Sequence, residues 1–510
     1  MTSETTAMPP DLQLDTLEAK GLIRVAALEP ELEYLFRHAL VQDAAYESLL
    51  KQERRALHRV VGDSLEQLYP ERRSELAAIL AMHLEQAGET ERAVAYLVEA
   101  ARYAHARNAI VEAYQLYSRA SSLLPVLSGD DDALRRQRLQ IELGRAKAGF
   151  SFLTDDETLA ILQPLVAEAH RLGDLRLEAE VRLHLAFVRQ FRGERPASSA
   201  ELRDSLARIS EIAAELDDPL IAAMPQALVG MYQVFSGDMR AGIEALREAA
   251  PLLEQKHDFI ASSFSLVALA VGLARLGDFG AAEEAARRAT EVAQQGDVIA
   301  RLDAMIAEST LRSIRGELDQ AVPLALACTN LAEESGATAC VVASNVVLGD
   351  AFMRQGRYGD AKIAFERSSQ IAEVTEQKIF RPSIAAYLRA TAASLGDFGP
   401  QARTFEEAIE EARSVGDRWG QATIVWRRAE TELKREGYSE QVERDFATAA
   451  AAYERMEAPP FVARVLRAWG EALRAAGRTG EGDEKLRRAL ALFEELGLGR
   501  EANEVRQQLG

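Results

Sequence analysis

Gly193, Gly237, Gly277, Gly316, Gly356, Gly396, Gly437 and Gly477 follow one another at intervals of 44, 40, 39, 40, 40, 41 and 40 residues. A glycine returning so regularly behind an apolar helical pattern marks a turn that opens with a residue free to take positive φ, once per unit. Such a period leaves a stack of like units as the fold, in which each unit packs only on its neighbours. A chain of 510 residues then needs no single globular core. A stack of this kind is first of all a binding surface.

The unit is clearest from Val341 to Ala372: an apolar helical run, the turn Gln355-Gly356-Arg357-Tyr358, then a second helix. A second set of turns, at Gly173-Asp174, Asp217-Asp218, Gly296-Asp297, Gly336, Gly416-Asp417 and Gly497, lies half a unit away and closes each second helix. Helices of roughly 16 to 18 residues follow, paired as antiparallel hairpins. Small residues stand five after the turn glycine (Ala282, Ala321, Ala361), with Ala286, Ala325 and Phe365 at nine and Ala289, Cys328 and Ser368 at twelve. They share one helical face, where small side chains let paired helices come close. Gly242 and Gly482 take the small-residue position elsewhere, while Pro400-Gln401 departs from it.

Leu348-Gly349 with Phe352, and Trp469-Gly470 with Leu473, reproduce the first-helix element of the tetratricopeptide repeat, which the chain resembles; Trp426 stands where that family often has an aromatic residue. The usual unit is about 34 residues, so a period near 40 makes each helix roughly a turn longer. The longer unit resembles the sensor superhelix of the bacterial maltose-regulon activator and its relatives. The resemblance implies an all-α, right-handed tetratricopeptide-like solenoid over residues 128–510. Earlier, tighter hairpins are expected over 63–127, around Gly88-Glu89, Ala93, Leu97, Ala100, Ala113, Tyr117 and Ala120.

Residues 11–62 differ in kind, behind a tail over 1–10 expected to be disordered. A helix-like LQLDTLEAKG is followed by two β-compatible runs, Leu22 to Ala27 and Leu32 to Arg37, either side of Glu29-Pro30-Glu31. Helix then hairpin is the layout of a winged-helix remnant. Next, Phe36, Arg37, His38, Ala39, Gln42, Ala45, Tyr46, Leu49, Leu50, Arg54, Arg55, Leu57 and His58 resemble the segment that joins ATPase to repeats in signal-transduction ATPases with numerous domains. The likeness is greatest to bacterial class III nucleotide cyclases that carry a fused ATPase and a tetratricopeptide tail. In that family the P-loop lies upstream. No G-x-x-x-x-G-K-[ST] occurs in this sequence, and Gly144 to Gly149 carries no Lys-Ser or Lys-Thr. The chain therefore reads as the C-terminal half of such a protein, without its ATPase or cyclase activity.

The composition points the same way. With 48% hydrophobic residues and a net charge of -20, the surface should be acidic, which disfavours whole-surface binding to nucleic acid or anionic lipid. Cys328 and Cys340 form no CxxC pair, so neither a disulfide framework nor a zinc site is expected. No signal-like start and no membrane-length apolar run is present, and a cytoplasmic location is expected. The seven histidines, His38, His58, His83, His105, His170, His184 and His257, are scattered, and no G-x-S-x-G elbow occurs. The run Ser128 to Asp132 reads as a loop and helix cap rather than a metal site. No catalytic residue, cofactor or metal is expected.

With each turn glycine set at position fifteen, positions two, five, nine and twelve of the first helix face the groove, as in the tetratricopeptide family. The middle units place Met224, Met231, Val234, Phe264, Val267 and Val271 there, an apolar floor for a peptide or partner helix. The last two place Arg427, Lys434, Arg464, Arg467 and Arg474, a basic end suited to an acidic or carboxylate-ended segment. The expected function is a non-enzymatic sensor or scaffold that binds a protein, peptide or small effector in this groove and regulates a signalling ATPase, cyclase or transcription factor. Two alternatives stand beside it: the regulatory half of a split cyclase or ATPase, and a DNA-binding regulator using Lys51, Arg54, Arg55, His58 and Arg59. Gln42, Asp43 and Glu47 would face phosphates badly in the latter, so no nucleic-acid partner is expected.

Overall fold

The computed structural model describes residues 10–27, 33–107, 109–127, 129, 131–150, 152–195, 199–255, 259–375, 380–399 and 404–510. Glu29-Pro30-Glu31, Ser128, Asp130, His257 and Pro400-Gln401 lie outside them. The chain divides into two compact units. One takes in residues up to 100 with 122–128, the other residues 101–121 with 129–510.

In the first unit, helix α1 (Pro10–Ala19) precedes strands β1 (Ile23–Ala27) and β2 (Glu33–Phe36). The strands pair antiparallel, Ile23 opposite Phe36 and Val25 opposite Tyr34, with an irregularity between Val25 and Ala27. Helices α2 (Ala39–Glu47), α3 (Lys51–Leu68), α4 (Arg73–Ala87) and α5 (Thr90–Ala106) follow. The α3–α4 pair closes around Gly62, whose missing Cβ would lie 3.2 Å from Leu84. Arg92 braces it, donating to Asp63 and Glu66 at 2.8 and 2.6 Å.

The second unit is built from hairpins, beginning with α6 (Ile110–Leu123), α7 (Asp132–Gly149) and α8 (Asp155–Leu172). The inner helices of the regular array are α9 (Leu175–Phe191), α11 (Pro219–Ser236), α13 (Phe259–Leu276), α15 (Val298–Ile314), α17 (Thr338–Arg354), α19 (Arg381–Ser394), α21 (Arg418–Glu436) and α23 (Pro459–Ala475). Between them run the outer helices α10 (Ala200–Leu216), α12 (Met239–Gln255), α14 (Phe279–Gln295), α16 (Leu318–Ser335), α18 (Tyr358–Val374), α20 (Phe405–Ser414), α22 (Glu440–Arg455) and α24 (Thr479–Glu495), and α25 (Gly499–Leu509) ends the array.

The turns obey their local chemistry. Gly237 takes φ +99 after α11, its N–H bonding back to Val234 and that of Asp238 to Gln233, so the last carbonyls of the helix are satisfied. At the opposite end of the hairpins an aspartate caps the next helix: Asp174, Asp218, Asp297 and Asp417 each accept a hydrogen bond from a backbone N–H of the first turn. The small-residue face is fully buried at Ala282, Ala321, Ala361, Ala286, Ala325, Ala289, Cys328 and Ser368. Where Phe365 replaces a small residue, the facing helix compensates with Gly349, whose Cβ would meet the Phe365 ring at 2.5 Å.

The superhelix closes on itself. The turn after α11 meets the turn before α23: a Cβ on Gly237 would lie 2.5 Å from Met456 Sδ, and Arg240 pairs with Glu457, 217 residues along the chain. The turn after α9 meets the turn before α21, where Val415 packs on Gly193 and Arg195 donates to the carbonyl of Ser414. Tyr232 donates to the Val415 carbonyl. One set of turns therefore seats on the other across successive superhelical turns, and the interior is walled rather than left as an open groove.

Gly237→Ala combines a left-handed backbone with a filled contact and should cost about 3 kcal/mol; Gly356→Ala, with the same backbone sign but open space around it, should cost only about 1 kcal/mol. Urea unfolding of the two variants checks the difference, and equal costs would show that the turn-to-turn contact contributes nothing.

Candidate functional site

Inside the second unit lies a cavity of about 580 Å3. Its wall repeats the register set by the turn glycines. Met224 and Met231 of α11, and Phe264, Val267 and Val271 of α13, all line it. The same positions of the flanking units line it too: Glu180, Leu183, Phe187 and Gln190 of α9, and Asp303, Ile306, Thr310 and Ser313 of α15. These were legible from the same glycine register, because Gly193 and Gly316 carry it outward in both directions. Val234 is buried between helices and is absent from the wall.

Two surfaces line the space. On one, the rings of Phe150, Phe187, Phe191 and Phe264 pack with centroids 4.7 to 5.6 Å apart. On the other, Asp417, Trp419 and Thr423 come from the start of α21 and Phe461 from α23, so the wall draws on two successive superhelical turns. The Trp419 and Phe461 rings meet edge to face at 4.6 Å.

The polar members of this wall are mostly spoken for. Lys147 Nζ donates to Glu180 Oε1 at 2.8 Å. His184 Nδ1 lies 2.9 Å from the Glu180 carbonyl, and burial pushes its pKa down to about 4, so the ring is neutral. Asp303 Oδ2 accepts from Ser263 Oγ at 2.7 Å, and burial pushes the carboxyl up to about 7. Asp417 accepts from the Gly420 N–H at 2.7 Å and is pushed up to about 6, again by burial. Two groups differ. Gln190, 2% exposed, has no hydrogen-bond partner for either amide atom among the described residues. Arg275 Nη1 donates to the Val234 carbonyl at 3.0 Å and its guanidinium lies 3.8 Å over the Trp419 ring.

The five cations expected at a basic end of the groove are placed away from the cavity. Arg427 lies buried over the Trp426 and Tyr387 rings and donates to Glu430 at 2.7 Å. Arg464 donates to Glu501 at 2.9 Å and to the Ile314 carbonyl. Arg467 bonds Glu504 at 2.8 Å, Arg474 the Gln508 carbonyl, and Lys434 Nζ lies 5.3 Å from the Tyr358 ring centroid. Arg427 and Arg464 are buried and serve as internal counter-charges, Arg467 and Arg474 lie half-buried against α25, and Lys434 is exposed. Of the three tryptophans only Trp419 reaches the cavity. In the first unit, Arg54 covers the Tyr46 ring and Arg59 pairs with Glu89 at 2.6 Å. Among the described residues no cluster of three metal-ligating side chains occurs, and no helix is long and apolar enough to cross a membrane.

No family model matches the chain. An uncharacterized protein of Rhizobium meliloti (strain 1021) is 30% identical over 162 residues, which is 31% of this chain but 15% of that relative; the match spans a small part of the relative's length. Among solved structures, a Rap protein complexed with competence and sporulation factor superposes with a TM-score of 0.53 at 15% identity, covering 71% of this chain and 99% of its own. A signal-transduction ATPase with numerous domains and a tetratricopeptide repeat sensor, from Pyrococcus horikoshii, gives a TM-score of 0.38 at 11% identity over 88% of this chain and 59% of that one. The likeness to the Rap structure is one of fold, a tetratricopeptide-like helical superhelix.

Two buried carboxyl groups, one in the wall and one at the end of the array, give measurable outcomes. Asp303 holds its proton in the folded chain up to about pH 7 but loses it near pH 4 when unfolded, so it costs stability progressively as pH rises through that window, about 1.4 kcal/mol per unit. Relative to wild type, Asp303→Asn should therefore gain stability between pH 4 and pH 7 and stay level above; a pH-independent difference in unfolding free energy would contradict this. Glu501 compensates both Arg464 and Arg354, at 2.9 and 2.8 Å. Glu501→Ala leaves buried Arg464 and half-buried Arg354 without their carboxylate and should cost about 3–5 kcal/mol in urea unfolding, whereas breaking an exposed pair such as Arg287–Glu284 should leave the unfolding midpoint nearly unchanged.

Proposed function

We propose that this chain is a non-enzymatic sensor arm that holds a small effector or short peptide inside its superhelix and converts occupancy into a change in how successive superhelical turns pack. The observation that carries the reading is the cavity itself, apolar, walled, and contributed by helices that belong to two turns. Its volume falls in the range of sites for small molecules rather than of surfaces for folded partners. A ligand there would touch Phe187 and Phe264 on one side and Trp419 and Phe461 on the other, bridging the seam made by Val415 and Met456. Ligand binding would then favour the closed arrangement by its differential affinity for it. The Rap protein, a fold relative, is complexed with competence and sporulation factor, which supports a ligand-binding role for a superhelix of this kind. Control of a signalling ATPase, cyclase or transcription factor is the downstream role proposed.

Binding of the uncharged dye N-phenyl-1-naphthylamine tests the site. The dye should brighten on the wild-type chain and quench Trp419. Val271→Trp, which fills the cavity, should weaken dye binding about tenfold or more without loss of helicity. Undiminished dye binding by a folded Val271→Trp chain would place the site elsewhere.

A further inference from the structure

Arg275 and Arg354 hold equivalent places, each two residues before a turn glycine. Each donates Nη1 to a carbonyl near the end of the preceding inner helix, Val234 for Arg275 and Ser313 for Arg354. The repeat explains that shared bond. It does not explain the difference in counter-charge. Arg354 has Glu501 at 2.8 Å, whereas Arg275 has no carboxylate oxygen within ion-pair distance among the described residues and rests on the Trp419 face at 3.8 Å. Asp417 is the acidic neighbour on the same wall and its charge acts on Arg275 through space, but it accepts the Gly420 N–H at 2.7 Å and makes no contact ion pair with the guanidinium. Arg275 is thus a half-buried cation without a contact counter-ion among the described residues, on the wall of a largely apolar space. Gln190 is an independent sign of a missing ligand: it is 2% exposed, lines the same cavity, and leaves both its donor and its acceptor unused among the described residues.

Resting on the site proposed above, we infer that the cavity is built for a compact apolar carboxylate, with its body among the phenylalanines and methionines of α9, α11 and α13 and its carboxylate on Arg275. The planar guanidinium offers two parallel N–H donors to a carboxylate, the pairing that a buried arginine favours most. Gln190 supplies a second polar contact that orients the ligand. A cationic ligand would meet Arg275 unfavourably, and a wholly apolar one would leave both Arg275 and Gln190 uncompensated. The same chemistry is carried by a small organic acid and by the C-terminus of a short apolar peptide, which the test separates.

The full chain is titrated by Trp419 fluorescence and calorimetry with 6-phenylhexanoate and its primary amide, and with tri-phenylalanine bearing a free or an amidated C-terminus. Wild type should bind the free acid of at least one pair about tenfold or more tightly than its amide. Whichever pair shows the preference identifies the source. Arg275→Met should abolish the preference by weakening the acid far more than the amide, and Arg275→Lys should restore part of it. Gln190→Leu should weaken the preferred acid with helicity retained. Equal binding of acid and amide in both pairs by wild type would overturn the inference without need of any variant, as would a preference that survives in folded Arg275→Met. If N-phenyl-1-naphthylamine still binds and Val271→Trp still blocks it, the cavity stands as a site and only the carboxylate assignment falls. If neither dye nor acid binds, both fall.

Discussion

Each inner helix from α9 to α23 ends in a glycine at positive φ, and at Gly193 and Gly237 the next superhelical turn rests directly on that glycine. Two demands meet at one atom: the backbone must enter the left-handed region, and there is no space for a Cβ. Everything else in the second unit depends on this contact. It sets how tightly the hairpins wind, brings Val415 and Met456 against turns more than 200 residues earlier, and turns what would be a groove into a walled interior.

The tight winding also settles where charge goes. A stack of hairpins that returns onto itself buries side chains that an open array would leave in water, and a buried cation needs a partner. Arg464, Arg354 and Glu501 answer that need at the end of the array, and Arg427 does so with Glu430 and two aromatic faces. Arg275 is the exception on the cavity wall, with a ring beneath it instead of a carboxylate. An exception inside an otherwise compensated set carries more information than the cations themselves.

Much of the fold was legible because it is local. Turn glycines, aspartate caps and the small-residue face at Ala282, Ala321 and Ala361 all act within one hairpin, and each falls where the period puts it. The apolar wall at Met224, Met231, Phe264, Val267 and Val271 was legible for the same reason, as the register carries over from unit to unit. Gln190 and Asp303 obey that register but carry no hydrophobic signal, so they stand out only when the flanking units are read in the same frame. The basic positions of the last two units obey it as well, yet Arg427 and Arg464 are buried against protein.

The sequence alone therefore determines the unit: its length, its two kinds of turn, its packing face and which helix looks inward, all products of backbone conformation and helical periodicity over some 40 residues. Only the tertiary structure decides what the inward face meets. Winding is the sum of small rotations between hairpins, a quantity no single unit carries, and it alone brings Trp419 onto Arg275 in the wall that Phe264 also lines, while placing Arg464 against Glu501 instead of solvent.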